Sequence, residues 1–193
     1  MVLPGAVLFP NSILPLCIFE PRYRAMLEWA LEHDRMFCVA MMKPGISEAK
    51  TEEQFFHTAG IGLVSASVTQ ADGTSNLMLQ GLARVRFTGF PQRSPFRIAK
   101  LDHQRPVSRD AAKENALAEK LREKCASLRI NDAPLPEAFT DALATITDMD
   151  ALADTVANSL LTDPMQRQRL LEQSDIAARL RELVQMLGTT DAA

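Results

Sequence analysis

Few side chains in this sequence could do chemistry, and the densest group of them is the corner Glu20-Pro21-Arg22-Tyr23-Arg24. A carboxylate, two guanidinium groups and a phenol lie close enough together to hold a charged ligand or a partner chain. Two interpretations of this corner carry equal weight. In the first, Glu20 and Pro21 start a helix and Tyr23 packs inward. In the second, an exposed Arg22 or Arg24 contacts a bound polypeptide.

A second cationic group lies on a predicted strand, where Arg84 and Arg86 alternate with apolar neighbours. Because side chains alternate across a strand, both arginines project from one face. The simpler interpretation is the solvent face of an antiparallel strand. The alternative is a cationic face that contacts a partner, together with Arg93 and Arg97. The candidate binding residues are therefore Glu20, Arg22, Tyr23, Arg24, Arg84 and Arg86.

Catalytic motifs are absent from the sequence: it contains no phosphate-binding G-x-x-x-x-G-K-[ST], no G-x-S-x-G, no H-E-x-x-H and no C-x-x-C. The three histidines occur in polar or turn-like contexts, so we expect solvated imidazoles. Cys17 lies in an apolar strand, and we expect all three cysteines to be small buried side chains, with burial leaving Cys17 inert. The sequence therefore predicts no catalytic residue, no metal site and no cofactor. The alternative is a hydrolase with an unrecognised site in a groove between a barrel and a helical bundle, using Glu20, Cys17 or a histidine.

The elements that position these groups follow from periodicity. Ile13 to Phe19 predicts a strand, and Pro21 begins a helix over about residues 21–33 with one apolar stripe. That stripe consists of Tyr23, Met26, Leu27, Ala30 and Leu31. Further strands are predicted at Met36–Met42, Gly60–Gln70, Thr74–Leu82, Ala83–Phe90 and Phe96–Leu101. The clustered Met36, Met41 and Met42 are expected in the core, and the alternative is a pliable binding surface.

Beyond Pro106 the apolar spacing changes to that of helices, with Ser108, Asp148 and Ser174 as predicted N-caps. The sequence therefore predicts an α+β chain. A β pseudo-barrel subdomain with one helix occupies residues 1–105, and a helical bundle subdomain occupies residues 107–188.

Charge and composition limit the classes of partner. The 193 residues carry a net charge of −3, which argues against nucleic-acid binding. No apolar run approaches the roughly 20 residues that span a bilayer, so no membrane association is expected. The prolines before Arg22 break any signal-peptide helix, and three widely spaced cysteines suit a reducing compartment. We therefore expect a cytoplasmic protein.

Three stretches together resemble a known family: Leu3 to Leu31, Leu77 to Phe87 and Ala151 to Leu183. They are similar to the N-terminal substrate-recognition domain of the Lon ATP-dependent protease, and more closely to small free-standing bacterial proteins built from that domain. The pairing of I-F-E-P-R-Y-R early with L-A-D-T-V-A late carries most of the resemblance. It implies a PUA-like β pseudo-barrel followed by a helical bundle. The protease's ATPase segment and Ser–Lys catalytic domain have no counterpart in this sequence.

The resemblance implies a non-catalytic module that binds unfolded segments or a partner protein, with apolar contacts steered by Arg22 and Arg24. RNA binding is a further alternative, because PUA-like barrels often bind RNA, although the acidic charge speaks against it. The open edge strands of such a sheet also allow pairing between two copies, so a homodimer is one expected assembly.

Overall fold

The computed structural model describes residues 1–189 and has an α+β architecture, as the sequence predicts. Its strands are β1 (Val2–Pro4), β2 (Ile13–Ile18), β3 (Met36–Met42), β4 (Thr58–Thr69), β5 (Ser75–Gln92), β6 (Ile98–His103), β7 (Arg129–Ile130) and β8 (Ala133–Pro134). Its helices are α1 (Pro21–Glu32), α2 (Ala111–Ser127), α3 (Glu137–Thr145), α4 (Met149–Leu160), α5 (Pro164–Glu172) and α6 (Ile176–Thr189). None of the helices in residues 1–189 is long and apolar enough to cross a membrane.

The main sheet has the order β1-β3-β4-β5-β2, and β6 also pairs with β5. All pairs are antiparallel except β1 with β3. The sheet does not close into a barrel. The two strands predicted at Thr74–Leu82 and Ala83–Phe90 are one continuous strand of 18 residues, because a bulge beside Gly81 lets the pairing with β4 continue.

The segment between Pro4 and Pro10 passes so close to strands β4 and β5 that the strand residues beneath it must be glycine. Leu8 and Phe9 are fully buried. A Cβ atom at Gly60 would lie 2.1 Å from the Leu8 carbonyl oxygen, and one at Gly81 would lie 2.0 Å from that of Phe9. Only residues without side chains leave room for this backbone-to-backbone approach.

Helix α1 covers one side of the sheet with the predicted stripe. Tyr23, Met26, Leu27 and Ala30 are buried and belong to one apolar cluster with β3 and β5 residues. Proline occupies the first turn of α1, and Glu20 is the N-cap residue without a side-chain capping bond. The Tyr23 hydroxyl donates to the Val2 carbonyl at 2.8 Å and accepts from the Val2 amide at 3.2 Å, so it ties β1 to α1.

The chain forms two compact units. The first contains Met1–Gln104 and Asp163–Leu171, and the second contains Arg105–Thr162 and, of the described residues, 172–189. The sequence pattern placed Asp163–Leu171 among the bundle helices, whereas in the structure this stretch packs with the sheet. The buried Gln168 donates to the Thr58 carbonyl at 3.0 Å across this contact. The boundary near residue 106 stays a prediction.

The second unit is a set of short helices around leucine and alanine side chains. Two predicted caps are displaced: Asp110, not Ser108, caps α2 through the Lys113 amide, and the Asp175 carboxylate accepts from the Ala178 amide at the start of α6. Asp148 caps α4 as predicted. The bundle interior also contains a charge, because Arg179 is fully buried and pairs with Asp150 and Asp154.

Candidate functional site

The corner from Glu20 to Arg24 is largely engaged with the protein itself. Arg22 Nε donates to Glu20 Oε2 at 2.8 Å, and its Nη1 lies 3.6 Å from Glu48. Tyr23 is buried, and burial raises its pKa. Arg24 is exposed and its Nη2 lies 3.4 Å from the Asp72 carbonyl oxygen in the β4–β5 turn. The inward-facing interpretation of Tyr23 therefore describes the structure.

The two arginines of β5 have different environments. Arg86 is exposed, but Arg84 is only 3% exposed and its Nε donates to the Leu171 carbonyl at 3.2 Å. Both interpretations of Arg84 as a surface residue are therefore wrong. Helix α5 covers this face of the strand, and strand alternation alone cannot reveal such a covering element.

The candidate catalytic groups are also dispersed. Cys17 is exposed, which contradicts its predicted burial, because the outer face of β2 has no covering element in its unit. Burial raises the pKa of Cys38 and of Cys125 to about 11. His57 is half-buried and stacks on Phe55 rather than being fully solvated. Among residues 1–189, no three His, Cys, Asp or Glu side chains are grouped so that they could hold a metal ion.

One concave surface of the first unit is an apolar cleft of about 350 Å³. It is called the apolar cleft from here on. Helix α1 forms one wall, β3 a second, and β5 with β6 a third. The main lining side chains are Met26, Trp29 and Ala30 of α1, Met36, Phe37 and Cys38 of β3, Phe87 and Phe90 of β5, Ile98, Ala99 and Leu101 of β6, and Phe55 and Phe96.

The cleft exists because the sheet stays open. Val2 of β1 and Ile98 of β6 belong to strands at free edges of the sheet, and both line the cleft. Closing the barrel would require these edges to pair, and the gap between them is lined by aromatic rings instead. Phe87 and Phe90 have ring centroids 5.4 Å apart, and Trp29 stands 6.1 Å from Phe96. The sequence analysis did not identify this site, because its walls come from elements that are distant in the chain.

A second, more polar cleft of about 320 Å³ shares Met1, Val2, Met26, Phe96 and Arg97 with the apolar cleft. It is called the polar cleft. Its other lining residues include Arg22, Glu48, Lys50 and Arg93. Of the predicted binding residues, Arg22 and Tyr23 therefore lie beside a concave surface, whereas Arg24 and Arg86 line none of the clefts described. The site combines an apolar chamber with a charged rim, which suits a ligand that has an apolar part.

Nearly the whole chain is similar to one known protein family. A family model described as the ATP-dependent protease La (LON) substrate-binding domain matches residues 1–189. Lon protease 2 of Herpetosiphon aurantiacus is 28% identical over 194 residues, covering 97% of this chain and 23% of the relative. Lon protease of Escherichia coli is 24% identical over 189 residues, covering 96% of this chain and 24% of the relative. The chain thus spans about a quarter of the length of these relatives.

Two solved structures share the fold. The N-terminal domain of the Mycobacterium avium complex Lon protease superposes with a TM-score of 0.76 at 18% identity, covering 97% of this chain and 96% of that one. The Lon N-terminal domain protein from Xanthomonas campestris gives a TM-score of 0.67 at 20% identity, covering 95% of each chain. The resemblance and the α+β fold predicted from the sequence are both confirmed.

Proposed function

Because the chain belongs to the family of Lon substrate-binding domains, we propose that it is a non-catalytic module that binds polypeptide segments in the apolar cleft. The observation that carries the proposal is the open cleft lined by methionine and aromatic side chains. Methionine is flexible and polarisable, so a wall containing Met26 and Met36 can adapt to apolar side chains of different shape. Such adaptability is what a binder of many unfolded segments needs.

The proposed binding energy comes from burial of apolar side chains. Removing one leucine or phenylalanine side chain from water is worth about 1.5–3 kcal/mol, or about 10–100-fold in affinity. A cleft of about 350 Å³ is at the small end of ligand-site volumes, so it suits one or two side chains rather than a folded domain. An unfolded chain exposes such side chains and a folded one does not.

Trp29 is the sharpest point at which to test the site. It lines the apolar cleft on α1 and is 42% exposed. Leu82 is a matched control, since it is 43% exposed on β5 and does not line that cleft. The probe is a fluorescently labelled protein that has been reduced and alkylated to keep it unfolded, and binding is followed by fluorescence anisotropy.

The proposal predicts saturable binding that weakens about tenfold in Trp29→Ser and changes little in Leu82→Ser. The same probe protein in its native fold should bind much more weakly. Absence of saturable binding by the wild-type chain would overturn the proposed function. Equal losses in both variants would remove the apolar cleft as the site.

The charged rim supplies a further element of the proposal. Arg22 lines the polar cleft and is suited to steer acidic segments, whereas Arg24 contacts the β4–β5 turn. Arg22→Glu should slow association at low ionic strength, and added salt should reduce the difference because it screens the charge. Arg24→Glu serves as the matched charge reversal and should have the smaller effect. An equal response of both variants to salt would contradict this assignment of Arg22.

Three other expectations remain part of the proposal. All three cysteines are free, which suits the predicted cytoplasmic location. A homodimer formed through the edge strands stays a prediction, and so does the absence of nucleic acid among the partners. Gel filtration and a low-salt gel shift with RNA test these two expectations directly.

A further inference from the structure

Arg97 occupies the junction between the two clefts. It lines both the apolar cleft and the polar cleft, and it follows Phe96, which also lines both. Its guanidinium is held in place by three contacts. Nη2 donates to the Ala49 carbonyl at 2.7 Å and to the Lys50 carbonyl at 3.1 Å. Cζ lies 5.4 Å from the centroid of the Phe55 ring. The positive charge is therefore fixed beside an apolar chamber.

The other cations of this rim have carboxylate partners. Arg22 pairs with Glu20 at 2.7 Å, Arg93 with Glu52 at 2.6 Å, and Lys50 lies 3.8 Å from Glu48. Within residues 1–189, Arg97 has no carboxylate within 4.0 Å, and its guanidinium contacts two backbone carbonyl oxygens and an aromatic ring. A half-buried guanidinium has five N–H donors, so Arg97 retains donors that a ligand can use.

We propose that Arg97 binds a carboxylate that lies next to a large apolar side chain of the bound polypeptide, with that side chain in the apolar cleft. This inference rests on the proposed function and narrows its substrate class. The planar guanidinium matches a carboxylate, and a charge-assisted hydrogen bond is strongest where apolar groups exclude water. A doubly charged phosphate suits this rim less well, because Glu48 lines the polar cleft and Glu52 pairs with Arg93, another of its lining residues.

The carboxylate has two sources in a polypeptide: the free C-terminus after an apolar residue, or an aspartate beside one. Three acetylated peptides without tryptophan distinguish them. The first ends in leucine with a free carboxylate, the second is the same peptide amidated, and the third is amidated with aspartate after the leucine. Trp29 is the one tryptophan of the chain and lines the apolar cleft, so its fluorescence reports binding.

The expected result is that the first or third peptide binds about tenfold more tightly than the second. Arg97→Gln should remove this preference because it weakens binding of the carboxylate-bearing peptide more than binding of the amidated one, and Arg97→Lys should retain part of it. Arg93→Gln is the matched control, because it removes a neighbouring cation that already has a carboxylate partner. Far-UV circular dichroism and urea melts verify that each variant is folded.

Equal affinity for all three peptides, or a preference that survives Arg97→Gln, would overturn the inference. If no peptide binds while the unfolded probe protein still does, the carboxylate inference falls and the proposed function stands. If the unfolded protein also fails to bind, the proposed function itself falls. Arg97-dependent binding of decanoate without binding of any peptide would assign the site to a fatty acid and would likewise overturn the inference.

Discussion

Replacing Gly81 by alanine should destabilise the first unit strongly, because a backbone segment lies where the new methyl group would go. The added Cβ would stand 2.0 Å from the Phe9 carbonyl oxygen, whereas real Cβ contacts below 3.0 Å are essentially never seen. The segment must therefore move by about 1 Å or more. Two hydrogen bonds would be strained by that movement, from the Asn11 amide to the Gly81 carbonyl at 2.9 Å and from the Gly81 amide to the Ser12 carbonyl at 2.8 Å.

The expected loss of stability is the sum of the steric cost of the added methyl group and the cost of straining the two hydrogen bonds. Overpacking of this kind costs about 1–3 kcal/mol, and each hydrogen bond contributes about 0.5–1.5 kcal/mol. Gly81→Ala should therefore lose about 2–6 kcal/mol of the free energy of unfolding, a large part of the roughly 5–15 kcal/mol of a typical protein. The urea midpoint should fall by about 1 M or more.

Tryptophan fluorescence is the suitable assay, because Trp29 lies in the same unit as Gly81. The matched control is Gly89→Ala on the same strand, where an added Cβ meets nothing within 4 Å. There the loss of chain entropy in the unfolded state should leave stability unchanged or raise it by about 0.4–1 kcal/mol. Indistinguishable urea midpoints for the two variants would refute the reasoning from close approach.

Four further predictions concern buried polar groups and thiols. Arg179→Met should lower the stability of the second unit by about 3–5 kcal/mol, because it removes a fully buried cation that pairs with the buried Asp154. Urea melts followed by far-UV circular dichroism measure the loss, and a loss below about 1 kcal/mol contradicts this. Tyr23→Phe should cost about 1–3 kcal/mol, measured by Trp fluorescence, because two backbone groups of β1 lose their partner; an unchanged urea midpoint contradicts this. At pH 8, iodoacetamide should modify exposed Cys17 well before buried Cys125, and mass spectrometry that finds equal rates contradicts this. Burial raises the pKa of Cys125 from 9.0 to about 11. The contribution of the buried, protonated thiol to the free energy of unfolding is therefore complete below pH 9 and is lost as pH rises through 11. A free energy of unfolding that stays constant across that range contradicts this.

Much of the fold was predictable because local patterns and tertiary packing agree. The stripe from Tyr23 to Ala30 follows helical spacing and is buried as expected. Pro21 begins α1 where a missing amide costs nothing, and Asp148 caps α4. In each case the information lies within a few neighbouring residues, where spacing and capping chemistry are sufficient.

The errors have one physical origin, which is that burial depends on elements far away in the chain. Arg84 was expected at the surface and is buried beneath α5, whereas Cys17 was expected in the core and is exposed. The two faces of a strand differ only in what covers them, and the covering element can lie many residues away. Arg84 and the carbonyl of Leu171 are 87 positions apart.

The sequence by itself determined the family, the α+β class, the position of most helices and strands, and the lack of a recognisable catalytic motif, because these depend on local spacing and residue order. Only the tertiary structure decided which residues come together to form the clefts. The apolar cleft brings Trp29 of α1, Met36 of β3 and Ile98 of β6 together, and Arg97 gains its position between two clefts from hydrogen bonds to a loop 47 and 48 residues away. Such proximity arises when an open sheet leaves its edges unpaired, and no run of neighbouring residues encodes it.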